Sequence, residues 1–285
     1  MKIQPYKEGM KLDGFIAGMP NEVYHASPGV SKSGLDKINR SPAHYKFAPE
    51  VAQTRNMVLG AAMHAALLEP GLFEQEYLLL RDVKDRRVSA YKEAIKNHPE
   101  NKVLTGTEAD NIVGMQEALS MNSFFSSLQK KIIYTELSLF VTDSDGTLLK
   151  CRFDAITSDG TIIDLKTTTD ARPDFFSRAI FNFRYHVQAA WYSDLFTVAT
   201  AKSTEFIIIA VEPDQPHAAK IYVLDDVAIE IGQSEYQKDL ELYKECEKTG
   251  HWPAYDVPDR PELISLPEWA IMNYESESDR EVIVV

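Results

Sequence analysis

Cysteine is nearly absent. Cys151 and Cys246 are the two in 285 residues, and neither stands in a CxxC pair. That excludes a cysteine-built zinc site, an iron–sulfur cluster and a disulfide-stapled secreted fold. Two isolated thiols fit a reducing cytoplasm. No run of about 18 apolar residues occurs, so no helix is expected to cross a membrane. The opening MKIQPYKEGMKLDGF has no apolar signal segment. Positive charge is in deficit, with 30 Lys and Arg against 43 Asp and Glu and a net charge of -13. Nucleic-acid surfaces are ordinarily basic, so any such surface here has to be a local groove. Part of the acidity sits in Glu268, Glu275, Glu277, Asp279 and Glu281, away from the motifs below. Internal repeats, low-complexity tracts and Gly/Ser/Pro-rich linkers are also missing, which leaves one unit over 1–285. A 44% hydrophobic composition is enough to give it a core.

What is present divides by texture. Residues 1–130 read as mainly helical. Residues 131–250 alternate strands and helices, and 251–285 form an extension. Ser31 is placed to cap a helix through Asn39, and Ser41-Pro42 starts a second. MVLGAAMHAALLEPGLF has helical spacing and a run of small residues, so it can lie close to another backbone. His64 lies inside that run, where a lone histidine is more often a packed core residue than a ligand. The charged stretch 81–130 reads as helical, with a basic segment that includes Arg86 and Arg87. Beyond Lys131, KIIYTELSLFV and TLLKCRFDAI read as strands joined at Asp143–Gly146, and TIIDLKT as a third. A short helix at Pro173–Ile180, a helix through RYHVQAAWYSD, strands TEFIIIAVE and AAKIYVL, and a long helix from Asp225/Asp226 complete the order. This is an α/β fold: a central mixed sheet flanked by helices, with an N-terminal helical region.

The chemistry is concentrated between Lys150 and Tyr192. Asp154 and Asp164 face each other across a hairpin. Lys166 shares a strand face with Asp164, while Leu165 points to the core. An aspartate after Ile162-Ile163 occupies a strand that should be buried, where an unpaired charge is expensive. Mg2+ prefers oxygen donors and keeps several waters, so two or three carboxylates suffice. The Leu165 carbonyl can add a ligand, and Lys166 can orient water and stabilise developing negative charge. Gln188 and Tyr192, four apart on a helix, project together.

This set resembles the PD-(D/E)XK nuclease superfamily, in its RecB-like branch, and most closely the nuclease domain of the RecE-type exonucleases (exodeoxyribonuclease VIII) of phages and prophages. Five ordered stretches carry the resemblance: VYHASPGVSKSGLDKINRSPAHY, LGAAMHAALLEP, KCRFDAI with IIDLKTT, RYHVQAAWYSD, and HWPAYDVPDRPELISLPEWA. Phe153 stands where the superfamily's name-giving proline would be, a position that varies.

The resemblance implies that His64, Asp154, Asp164 and the Leu165 carbonyl bind Mg2+, with Mn2+ able to substitute, and that Lys166 is catalytic. It implies that Gln188 and Tyr192 position the site or the DNA. Glu136 would be an additional metal-site acid, and Arg86, Arg87 and Ser33 would grip a 5′ phosphate. The implied activity is 5′→3′ degradation of linear double-stranded DNA from its ends, inside a bacterial host cell. It leaves 3′ tails for a RecT-like single-strand annealing protein and is carried out by a homo-oligomer, a tetrameric ring. Rival readings are an endonuclease or single-strand-specific nuclease of the same fold, and a non-catalytic module that binds DNA ends.

Overall fold

The computed structural model describes residues 1–49, 52–255, 260–268, 271, 272 and 274. The chain divides into two units, Met1–Trp252 and Pro253–Val285. The second has no regular secondary structure over 260–267. Four of the five tail acids (Glu275, Glu277, Asp279 and Glu281) and part of the HWPAYDVPDRPELISLPEWA stretch lie outside the described residues.

The first unit is built on a mixed seven-stranded sheet. Its strands are β1 (Ile3–Pro5), β2 (Gly14–Ala17), β5 (Ile132–Thr142), β6 (Leu148–Thr157), β7 (Ile162–Thr167), β8 (Phe206–Val211) and β9 (Ala219–Val223), in the order β1-β2-β5-β6-β7-β8-β9. β5, β6 and β7 are antiparallel neighbours, and β7 runs parallel to β8. The parallel step is made by α9 (Pro173–Asn182) and α10 (Tyr185–Thr200), since parallel neighbours need a crossover of this length. Every residue of β8 is buried. Phe206, Ile208 and Ala210 enter one core cluster and Ile207, Ile209 and Val211 the other, as strand alternation requires.

Helices cover both faces. On one side lie α10 and α11 (Asp226–Thr249), with α2 (Lys32–Arg40) beside them; on the other lie α4 (Arg55–Leu68) and α7 (Gly106–Ser120). Serine caps work as expected: Ser31 Oγ accepts the Gly34 N–H and Ser41 Oγ accepts the His44 N–H, which starts α3 (Pro42–Phe47). A Cβ at Gly232 would stand 2.4 Å from the His186 carbonyl oxygen, so only glycine lets α11 cross α10 this closely.

The N-terminal 130 residues hold more than helices. β1 and β2 extend the main sheet. α1 (Asn21–Ala26) leads into a segment tied to β6, where Lys150 Nζ donates to the Tyr24 and Ser27 carbonyls at 2.9 and 2.6 Å. After α5 (Pro70–Glu76), a two-stranded parallel sheet of β3 (Leu78–Leu80) and β4 (Val103–Thr105) interrupts the stretch expected to be helical. Residues 81–88 are irregular. Only α6 (Ser89–Asn97), α7 and α8 (Ser123–Gln129) form α-helices there. Short strands of three residues are too brief to show a period of two, which hid them in the sequence.

Candidate active site

The site starts from a break in strand pairing. β6 and β7 pair through Ile156↔Ile162 and Ala155↔Ile163, and the ladder stops there. Asp154 and Asp164 come next in that register. The Leu165 N–H, which a continuing ladder would have used, is donated to Asp154 Oδ2 at 2.8 Å. A side chain has replaced a strand partner, and the gap holds the functional groups. Phe153 is buried in the core beneath.

Asp164 is 1% exposed. Lys166 Nζ lies 2.5 Å from its Oδ2, and Gln188 Nε2 donates to its Oδ1 at 2.6 Å. The lysine meets the buried Oδ2 as an ion pair, and an oxygen with two lone pairs can accept more than this one contact. Burial works to lower the Lys166 pKa, but Asp164 and Asp154 outweigh it and the amine is held above its ordinary value. Lys166 is therefore an ammonium, and its nitrogen lies 4.9 Å from the centroid of the Tyr185 ring. Leu165, between them, points into the opposite core cluster, as the alternation predicts.

The second wall is α4. Its Gly60-Ala61-Ala62 run brings the helix close to β7, and a Cβ at Gly60 would touch Thr167 Oγ1 at 3.5 Å. His64 Nε2 sits 3.0 Å from the Leu165 carbonyl oxygen and its Nδ1 3.6 Å from Asp154 Oδ2. His64, Glu136 and Asp154 each offer one donor atom, and the three lie within 4.8 Å of one another. Two ligands of one Mg2+ at about 2.1 Å each stand at most about 4.2 Å apart, so these atoms need to draw in by only tenths of an ångström. Burial, ahead of the Asp164 charge, pushes the Asp154 carboxyl up to about 6, with His64 opposing. Among the described residues no lysine or arginine lies within 4 Å of Asp154. Carboxylates beside an imidazole and a backbone carbonyl, with Asp154 lacking a direct cation, are a donor set that fits a hard divalent ion.

Glu136 has φ 47°, a left-handed conformation that costs a non-glycine residue on the order of 1–3 kcal/mol. It stands across from Asp154 in the register of Thr135↔Ala155 and Leu137↔Phe153. Arg152 Nε donates to Glu136 Oε2 at 2.7 Å, and Arg152 Nη1 to the Met19 carbonyl at 2.8 Å. Arg152 was not picked out in the sequence, although it stands two residues before Asp154 and shares its strand face. Tyr185 was also missed; it lies three residues before Gln188, on the same helical face.

The remaining candidates are placed differently. Tyr192, like Gln188, lies on the sheet-facing side of α10, close enough to Asp164 and Asp154 to feel their charge. Its ring meets Phe153 and Phe206 edge-on at 5.5 and 6.1 Å, and burial raises its hydroxyl well above the tyrosine range. It backs the site from inside. Arg86 and Arg87 lie in the loop before α6, where Arg87 forks onto Asp85, and no contact links them to the site. Ser33 turns to Ser31, Oγ to Oγ at 3.0 Å. Its neighbour Lys32 reaches the site's edge instead, donating to the Phe183 carbonyl at 2.7 Å and pairing with Asp36 at 2.8 Å. No motif singled out Lys32 in the sequence.

A mixed sheet whose hairpin presents Asp154, Asp164 and Lys166, sandwiched between helices, is the PD-(D/E)XK nuclease fold. The chain belongs to the family described as a PDDEXK-like domain of unknown function (DUF3799), whose model matches residues 31–258. Among solved structures, one from Eubacterium rectale, provisionally described as an exonuclease, aligns with a TM-score of 0.59 at 13% identity, covering 90% of this chain and 97% of that one. At that identity the likeness is one of fold. A second, SSO0001, aligns at 20% identity over 69% of this chain and 92% of that one with a TM-score of 0.28, too low to bear on the fold. No curated protein matches the chain.

Proposed function

We propose that this protein is a magnesium-dependent exodeoxyribonuclease acting 5′→3′ on linear double-stranded DNA. The observation that carries the nuclease reading is the convergence of Asp154, Asp164, Lys166 and His64 on the open end of the β6–β7 hairpin. Asp154, Asp164, the Leu165 carbonyl, His64 and Glu136 would hold a divalent cation, which would supply an activated water and charge stabilisation for phosphodiester cleavage. The chain's own groups do the rest. Gln188 fixes the Asp164 carboxylate by its 2.6 Å bond. Lys166, kept as an ammonium, is a poor base, so its part is to hold the attacking water and to stabilise charge that develops on the phosphate oxygens. Arg152 fixes the Glu136 carboxylate by its 2.7 Å bond beside the metal position.

Polarity, the 3′ tails and delivery to a RecT-like annealing protein rest on the likeness of the five motifs to the RecE-type enzymes. A homo-oligomeric ring belongs to the same reading; it lets an acidic protein line one channel with its few cations. Linear duplex labelled at the 5′ or 3′ end tests the proposal. With Mg2+ we expect early release of the 5′ label and none from covalently closed circles. Activity should vanish in Asp164→Ala and Lys166→Ala. Cutting of closed circles favours an endonuclease, and undiminished activity in Asp164→Ala removes the site assignment.

A further inference from the structure

Three phenylalanines are exposed within nine residues: Phe175, Phe181 and Phe183, at 48%, 68% and 62%. They belong to α9 and the turn that follows it. Phe175 and Arg178, three apart, share a helix face, as do Arg178 and Phe181. The Phe175 ring lies between two guanidiniums, Arg172 at 4.5 Å and Arg178 at 5.7 Å from its centroid. Arg172 is balanced by Asp170, but Arg178 has no carboxylate within 4 Å among the described residues. The surface runs into the active site. Phe183 stacks on Tyr185 with centroids 5.7 Å apart and planes at 25°, and the Tyr185 ring lies under Lys166.

We infer that this ridge is a stacking platform for the unpaired bases of a single DNA strand leading to Lys166 and Asp164. The inference deepens the nuclease reading and rests on it. Every base has a π-face, so phenyl rings bind a strand without regard to sequence, while interleaved arginines meet its phosphates. An apolar protein partner fits less well, because the centres of such interfaces are depleted of charge and here a guanidinium sits between the rings. In an acidic chain, a patch with an unbalanced arginine is also where a polyanion meets least repulsion.

The test is binding of a fluorescein-labelled 15-nucleotide single strand to the full chain, read by anisotropy with Ca2+ in place of Mg2+ to hold back cleavage. Phe181→Ala and Phe183→Ala should each weaken binding roughly tenfold. An abasic strand of the same length should bind wild type and variants equally weakly, and Phe183→Trp should give a tryptophan emission that the normal strand quenches and the abasic one does not. Hydrolysis of bis-p-nitrophenyl phosphate, which has no base, should persist in both alanine variants while their binding of the normal strand falls. Equal affinity of variants and wild type for the normal strand overturns the inference. So does light scattering in which the alanine variants dissociate an oligomer and lose DNA only in step with it, since the ridge is then an interface between copies. A wild type that hydrolyses neither DNA nor the small diester defeats the nuclease reading, while the binding comparison still decides the ridge.

Discussion

Two charge clusters meet α10, one through Arg184 and one through Gln188, and they are finished differently. In one, Arg184 reaches Asp36, Glu235 and Asp239 at 3.0, 3.1 and 2.6 Å, with Asn39 donating to the other Asp239 oxygen at 3.1 Å. Each of these carboxylates meets a guanidinium nitrogen, and the cluster ties α2, α10 and α11 together. In the other, Asp154 receives a backbone amide and faces an imidazole, and its carboxyl is held up to about 6 by burial. The first is a network of matched charges; in the second, Asp154 has no lysine or arginine within 4 Å among the described residues. Unpaired buried charge is costly, so its persistence beside Lys166 marks the cluster that a ligand completes.

The largest expected effect comes from removing the unsatisfied charge. Asp154→Asn keeps an oxygen for the Leu165 N–H, so nuclease turnover should fall on the order of 10²–10³-fold or more while the melting temperature holds or rises. A clear fall in melting temperature would place Asp154 with the structural cluster. The converse change, Arg184→Met, takes the guanidinium from three carboxylates, of which Asp36 keeps Lys32 and Asp239 keeps Asn39. Asp36 and Glu235 are about one third exposed, so the loss in urea unfolding should be near the lower end of the usual range, about 3 kcal/mol. Specific activity of the folded protein should drop less than tenfold. Equal losses of activity and stability in both variants would erase the distinction.

Metal should separate the clusters again. Mg2+ or Mn2+ at about 100 times its dissociation constant should stabilise wild type by about 2.7 kcal/mol, read as a shift in the urea midpoint. The shift should survive in Arg184→Met and disappear in Asp154→Asn.

The smallest effect is in pH. The unfolded chain releases the Asp154 proton near 3.8 and the folded chain near 6. With chelator present, this group's contribution to stability is full below pH 3.8 and is lost as pH climbs through 6. A bound divalent ion prefers the carboxylate and reverses that slope. Urea midpoints at pH 4.5 and 6.5 in chelator should show wild type losing ground to Asp154→Asn at the higher pH. An unchanged gap would mean that Asp154 ionises normally.

Local pattern was enough for much of this protein. A period of two placed Asp164 and Lys166 on one face and Leu165 on the other. Asp-Gly turns set the β5–β6 hairpin, and serines marked the starts of α2 and α3. These signals act over a few residues, where dihedral preference and one hydrogen bond decide the outcome. Tertiary structure decided whatever depends on distant parts of the chain meeting. It brought His64 to the Leu165 carbonyl 101 residues away, setting a histidine that reads as core beside Asp154. It set Arg152 on Glu136, drew Tyr185 under Lys166, and packed Tyr192 against Phe153 and Phe206. Spacing within one helix or strand states which side chains share a face. Which face meets a gap between strands is settled only when the sheet and both helical layers close around it.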